Sequence, residues 1–282
     1  PVEKQLVFLG TENGLWVSIN EGKDWVPFKN GFPSVSTMDL VIQEKESALV
    51  VGTFGRAIWV LDDLKSLREI VRGNTKEKIT TLPMNEVIQV KGLFIAPPGN
   101  IWTGFGTTFE GENRPFQEAA IPIYINDLPT KEDKVEGFIL NSKGDTIQKL
   151  TTQLLVQGLN YIQWKLDENR VYLSGNYDPN ESRGIPVLPG TYMAVIKYKG
   201  VQSSTSIKVI SDPRFKKKEE VDQELYRYNK ALNFEVGRLK SFFNLINSWE
   251  SELKKIHETL SKQTKNEKAL KNVNGMIEMV KQ

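Results

Sequence analysis

Two stretches of this chain repeat one another. Leu6–Val17 reads LVFLGTENGLWV and Leu49–Val60 reads LVVGTFGRAIWV. Each runs Leu-Val, then apolar residues, Gly-Thr, a short polar insert and Trp-Val. Gly10 and Gly52 lie 42 residues apart, Trp16 and Trp59 43 apart. A period of about 40–45 residues filled with several short strands is the signature of β-propeller blades. Strand signals fill the interval at 5–11, 14–19, 25–28, 38–43, 48–53 and 57–61. They are short, β-branched or aromatic, and separated by Gly, Asn, Pro or charged turns. Between the second and third lies SINEGKDW, Ser18–Trp25. Ser18 and Asn20 can hydrogen-bond to nearby backbone, Gly22 permits a positive φ, and Trp25 can fold back as an apolar plug. The spacing predicts a folded turn rather than a catalytic loop.

The pattern Ser18-x-Asn20-x-Gly22-x-x-Trp25 resembles the Asp-box, or bacterial neuraminidase (BNR) repeat, with Asn20 at the usual Asp. In that family the motif is a hairpin signature on the propeller rim. GTFGRAIWVLDD, residues 52–63, is similar to the closing segment of sortilin-like and glycosyl-hydrolase-like bacterial repeat proteins, and Gly52, Gly55, Arg56 and Trp59 carry that likeness. The resemblance covers about 65 residues. It implies that 1–63 is the last blade or blades of a propeller whose remainder lies upstream. One blade and a fraction cannot bury both faces, so an upstream propeller polypeptide is the expected partner. The chain begins at Pro1 without an initiating Met, and we expect it to be a piece of something longer.

Residues 64–90 have mixed charge and predict a connector with a helical turn near 64–71. Strand signals then resume at 87–97, 120–127, 134–150, 158–167, 190–200 and 201–211. FILNSKGDTIQKL reads as a hairpin, and the regular spacing of short strands predicts a β-sandwich over 91–213. Ile-Tyr-Ile, the Lys-Gly-Asp hairpin, GLNYIQWKL, Leu-Pro-Gly-Thr-Tyr and Asp-Pro-Arg together resemble the immunoglobulin-like domain that follows such propellers, of the flagellar hook-capping type. GTTFEGENRPFQEAA is similar to that domain's lead-in, with Glu118-Ala119 where the family has Gly-Ala. Trp164 is expected in its core.

From 216 onward helix formers take over. Apolar residues from Val221 to Leu260 recur every three or four positions, the seam of a long amphipathic helix. A second run holds Leu270, Val273, Ile277 and Val280, and KQTKNE separates the two. The pattern predicts a helical hairpin over 216–282, with Trp249, Leu253, Ile256 and Leu260 under the second helix. Leu225, Tyr228, Leu232 and Leu239 lie beyond its reach and are expected to dock on the sandwich or propeller of the same protein, with another chain as the alternative. His257 reads as a solvated helix residue, and the run 216–220 as a charged helix start.

The chain is therefore expected to be mainly β with an α tail. Its 282 residues hold no cysteine and one histidine, which removes disulfides, thiolate metal sites and polyhistidine centres. The formal charge of +2 gives no field that favours nucleic acid. No apolar run reaches the length of a membrane helix. Catalytic, metal and cofactor residues are expected to be none. Asp39, Asp62, Asp63, Glu110, Glu112 and Asp127 are carboxylates, but no pair is forced to face as glycoside hydrolysis requires, and Asp62 and Asp63 are placed to cap the helix at Leu64. The resemblance implies a non-catalytic C-terminal portion of a secreted or cell-envelope propeller protein. It would reside in the bacterial periplasm, on the outer membrane or outside the cell, and offer surfaces to a protein or a glycan. Two alternatives stand beside it. One is the end of a glycoside hydrolase with its acids upstream. The other is a subunit of an envelope assembly held through the helical tail.

Overall fold

The computed structural model describes residues 3–29, 32–45, 47–89, 118–152, 155–171, 184–213, 219–262 and 267–281. The chain is mainly β, with a C-terminal helical region and a curled half-barrel sheet. It divides into two compact units, Pro1–Glu168 with Val187–Lys217, and Asn169–Pro186 with Lys218–Gln282.

In the first unit, β1 (Val7–Thr11), β2 (Gly14–Ser18) and β3 (Val26–Pro27) form one antiparallel sheet, and β4 (Thr37–Gln43), β5 (Ala48–Thr53) and β6 (Ile58–Leu61) form another. Leu15, Leu49 and Val51 are buried in one cluster with Leu64 of α1 (Leu64–Val71), against Phe8, Phe32 and Trp59. Close approach of the sheets requires a glycine, because a Cβ on Gly10 would stand 2.8 Å from Thr37 Cγ2. Asp63 caps α1 by accepting from Ser66 N at 3.0 Å, as the carboxylate's place before Leu64 led us to expect. Arg72 at the end of α1 donates from Nε to Glu3 Oε2 at 2.8 Å, and that bond holds the Glu3 carboxyl below its ordinary pKa.

The rest of the unit is built on two further sheets. β7 (Ile79–Thr81), β9 (Ala119–Ile125) and β12 (Gly158–Trp164) order as β12-β9-β7, while β8 (Val87–Gln89), β10 (Val135–Leu140), β11 (Thr146–Thr152), β15 (Gly190–Tyr198) and β16 (Val201–Ser211) order as β11-β10-β15-β16-β8. The short strand β13 (Asp167–Glu168) ends this stretch of the unit, and β14 (Ile185–Pro186) belongs to the second unit. Alternation decides which side chains meet. Ile121, Ile123 and Ile125 of β9 and Ile139, Ile196 and Ile207 of the five-stranded sheet are all 0% exposed in one shared cluster. Trp164 is in that cluster, its Nε1 donating to Asp167 O at 2.8 Å and its ring edge-on to Tyr192 at 5.3 Å. The FILNSKGDTIQKL hairpin is β10–β11, its turn closed by Asn141 Oδ1, which accepts from Lys143 N and Asp145 N.

One expectation for this unit differs from what is found. Residues 64–90 are more than a connector. β7 pairs with β9, β8 runs parallel to β16, and Ile79 and Leu82 are each 1% exposed. Strand signal at 87–97 is described only as far as Gln89, and GTTFEGENRPF lies outside the described residues.

In the second unit, α2 (Glu219–Ser261) and α3 (Glu267–Lys281) pack together. Val273 of α3 is buried, and Ile246, Leu253, His257 and Leu260 of α2 are half-buried. Trp249 and Ile256 are corrected from covered to exposed, at 50% and 47%. A single helix shields one narrow stripe, and residues three or four along from that stripe turn away from it.

Candidate functional site

Ser18 leaves β2 1% exposed, so its hydroxyl must find partners within the turn that follows. Ser18 Oγ donates to Asn20 Oδ1 at 3.0 Å and accepts from Gly22 N at 2.9 Å. Asn20 Oδ1 also accepts from Asp24 N at 2.9 Å, while Asn20 Nδ2 donates to Asp24 Oδ2 at 2.8 Å. Glu21 and Gly22 both take positive φ, 62° and 83°, a tight reversal that glycine eases at the second position. Trp25 then folds back and donates from Nε1 to Gly22 O at 2.9 Å. These bonds close on the loop itself and aim no free donor or acceptor from Ser18 or Asn20 at a ligand.

The second repeat ends in a similar device. Gly52 lies in β5, and Gly55 takes φ 87° in the turn. Thr53 Oγ1 donates to Ala57 O at 2.6 Å across that turn, and Trp59 Nε1 donates to Arg56 O at 2.8 Å. Trp25 and Trp59 thus make the same bond, indole N–H to the carbonyl three residues back. This shared bond was not anticipated, and the matching Gly-x-x-Trp and Arg-x-x-Trp spacings were the signal for it. Of the eight motif residues, Ser18, Asn20, Gly22 and Trp25 converge in one turn, while Gly55 and Arg56 lie in a second turn flanked by Gly52 of β5 and Trp59 of β6.

Several of the candidate carboxylates take structural partners. Asp63 holds the start of α1 and accepts from Tyr161 Oη at 3.2 Å; burial, then the Asp63 charge, raises the Tyr161 pKa. Asp39 Oδ1 accepts from Leu40 N at 2.8 Å. Glu110 and Glu112 lie outside the described residues. Asp127 and Asp133 grip one cation, each placing Oδ2 2.9 Å from Lys199 Nζ. Lys199 lies in a two-residue turn between β15 and β16, where Lys199 and Gly200 take φ 45° and 80°. That geometry matches the right-handed twist of the hairpin. The Lys199 hydrogen bond lowers the Asp127 pKa, and the Thr130 backbone N–H followed by Lys199 lowers that of Asp133. The Tyr198 hydroxyl, then Asp133 and Asp127, raise that of Lys199. Each carboxylate meets the lysine as an ion pair, which favours its charged form. An open recess of about 440 Å³ beside the lysine is lined by Lys134, Glu136, Lys197, Tyr198 and Gln202.

Among the described residues, no three His, Asp or Glu side chains are placed to hold a metal ion. No described helix is long and apolar enough to cross a membrane. No family model matches the chain, and no curated protein matches it.

Three outcomes are expected. Replacing Asn20 by Ala removes an acceptor shared by a hydroxyl and a backbone N–H, and lowers unfolding free energy by about 0.5–2 kcal/mol in urea titrations. Asn20→Asp sets a carboxylate against Asp24, so that variant loses stability on going from about pH 4 to neutrality. For Lys199 the sign runs the other way. Asp127 and Asp133 are depressed in the folded state, so their contribution is present above the unfolded carboxylate pKa, about 3.9, and is lost as pH falls through the lower folded values. Lys199→Met flattens that acid limb in denaturation curves recorded across pH. An unchanged limb contradicts the assignment.

Proposed function

We propose that this chain is the non-catalytic C-terminal portion of a secreted or cell-envelope protein with BNR-type propeller repeats. In this reading β1–β6 are terminal blade material that closes a propeller ring and packs on upstream polypeptide. The two-sheet body over β7–β16 is an immunoglobulin-like domain of the hook-capping type, and α2 and α3 form a helical hairpin. The surfaces so presented serve a protein or glycan partner. The likeness of SINEGKDW and GTFGRAIWVLDD to Asp-box propeller segments supports the reading. Asn20 in place of Asp fits as well, because Asn20 Nδ2 donates to Asp24 where a second carboxylate would be repelled.

One observation carries it. Val41, Val50 and Val60 lie side by side across β4, β5 and β6. They stand on the face opposite Leu49 and Val51, which are buried. Val41 is 54% exposed and Val60 42%, and the neighbouring Ile58 is 70% exposed. An antiparallel sheet with one wet face carries polar residues there. A valine ladder fits a sheet stacked on another sheet, as between blades. Replace Val41 and Val60 together by Lys. In the 282-residue chain the pair changes stability by no more than about 0.5 kcal/mol, as exposed substitutions do. In the protein carrying its upstream polypeptide the same pair lowers the melting temperature clearly. A neutral effect in both overturns the proposal.

A further inference from the structure

The open half of α2 carries a pattern that no other described surface shares. Leu225, Leu232, Leu239 and Ile246 recur every seven residues. Val221, Tyr228, Phe242 and Trp249 belong to a second row of the same period, with Glu235 at one step. The rows alternate by three and four, the a and d positions of a heptad. Val221, Leu225, Tyr228, Leu232 and Leu239 are each between 42% and 65% exposed. Within the second unit, the described residues cover other faces. Val171 N donates to Asn233 Oδ1 at 2.7 Å and Val171 Cγ2 lies 3.8 Å from where a Gly237 Cβ would stand, a quarter-turn or more from the stripe. α3 packs farther along, where Leu253 and Leu260 are half-buried.

We infer that this stripe, Val221 to Leu239, is the antiparallel coiled-coil interface of a dimer between two copies of the chain. Charge selects both occupant and direction. Glu219, Glu220, Asp222 and Glu224 crowd the start of the helix. A parallel pair sets these acids against the same acids of the partner copy, which is repulsive. Antiparallel pairing about an axis near residue 230 removes that conflict. Val221 then packs on Leu239 of the second copy, Tyr228 on Leu232, and Leu225 on Glu235, each an a residue against a d residue. Glu224 faces Arg238 of the second copy on the flank, twice by symmetry. Arg238 Nη1 already holds Glu235 Oε2 at 3.0 Å, so the one carboxylate in the seam is neutralised. The interface is isologous and closes at two copies. It does not depend on the propeller reading.

The chain has no cysteine, so single introduced thiols report the register. Use the full 282-residue chain. Light scattering across a dilution series gives twice the chain mass. Ala231→Cys, on the flank beside the axis, oxidises to a covalent dimer. Leu239→Cys does not, because the two copies of that residue stand about 27 Å apart along the helices. Leu232→Glu combined with Leu239→Glu gives a monomer whose thermal unfolding is otherwise retained. The inference is overturned by monomeric mass throughout the wild-type series, the outcome if the rest of the chain covers the stripe, which would also make the double variant less heat-stable at constant mass. A dimer that cross-links through residue 239 and not 231 overturns it equally.

Discussion

The structure depends on one packing constraint, the meeting of β9 and β12 with β10, β15 and β16. Ile121, Ile123 and Ile125 point to one side of β9 because strand side chains alternate, and Ile139, Ile196 and Ile207 answer them from the facing sheet, all fully buried. Dense apolar burial of this kind is the main favourable term in folding. Polar ties then fix the edges. Thr81 N donates to Ser203 Oγ at 2.9 Å and Thr205 Oγ1 donates to Leu82 O at 3.2 Å, which joins β7 to the neighbouring sheet. The Lys199 cluster holds the loop after β9 to the β15–β16 turn.

Outside that core, apolar residues are distributed differently. β4–β6 bury one face and leave Val41, Ile58 and Val60 exposed on the other. α2 has no buried residue along its 43 positions. These two surfaces, rather than the recess beside Lys199, are where the chemistry of the molecule points outward. The recess is open and lined by Lys134, Glu136 and Lys197, and the Asp127–Lys199–Asp133 cluster beside it braces the turn. The exposed ladder and the heptad stripe suit stacking and helix pairing. The same reasoning joins the two proposals: an apolar face that the fold does not fill is a site for another surface.

Legibility from sequence followed the range of the interaction. The α1 cap, the Asn141–Asp145 turn and the Ser18–Trp25 turn each depend on residues within a few positions, and their signals lie in the residue types themselves. Trp164 was expected in the core through the likeness of GLNYIQWKL to an immunoglobulin-like strand, and it is buried. The pairing of Val87 with Val209 was not, since β8 is three residues long and its partner is over a hundred residues away. The tail was half legible. Its three-and-four spacing gives the helix, but which of Trp249 and Leu253 faces α3 depends on the rotation of one helix about another, and local sequence does not encode that. Asn20 was readable as a turn residue, whereas its bond to Asp24 needed coordinates.

The central claim is that one core is complete and two flanking surfaces are open. Native-state amide exchange over the whole chain tests it most directly, because local opening free energies separate elements that share a core from those that do not. The account predicts that β9, β10 and β15 exchange only through global unfolding, while β4, β6 and the first half of α2 open at much lower free energy in dilute solution. A single opening free energy shared by β4, β6, β9 and β15 would contradict it.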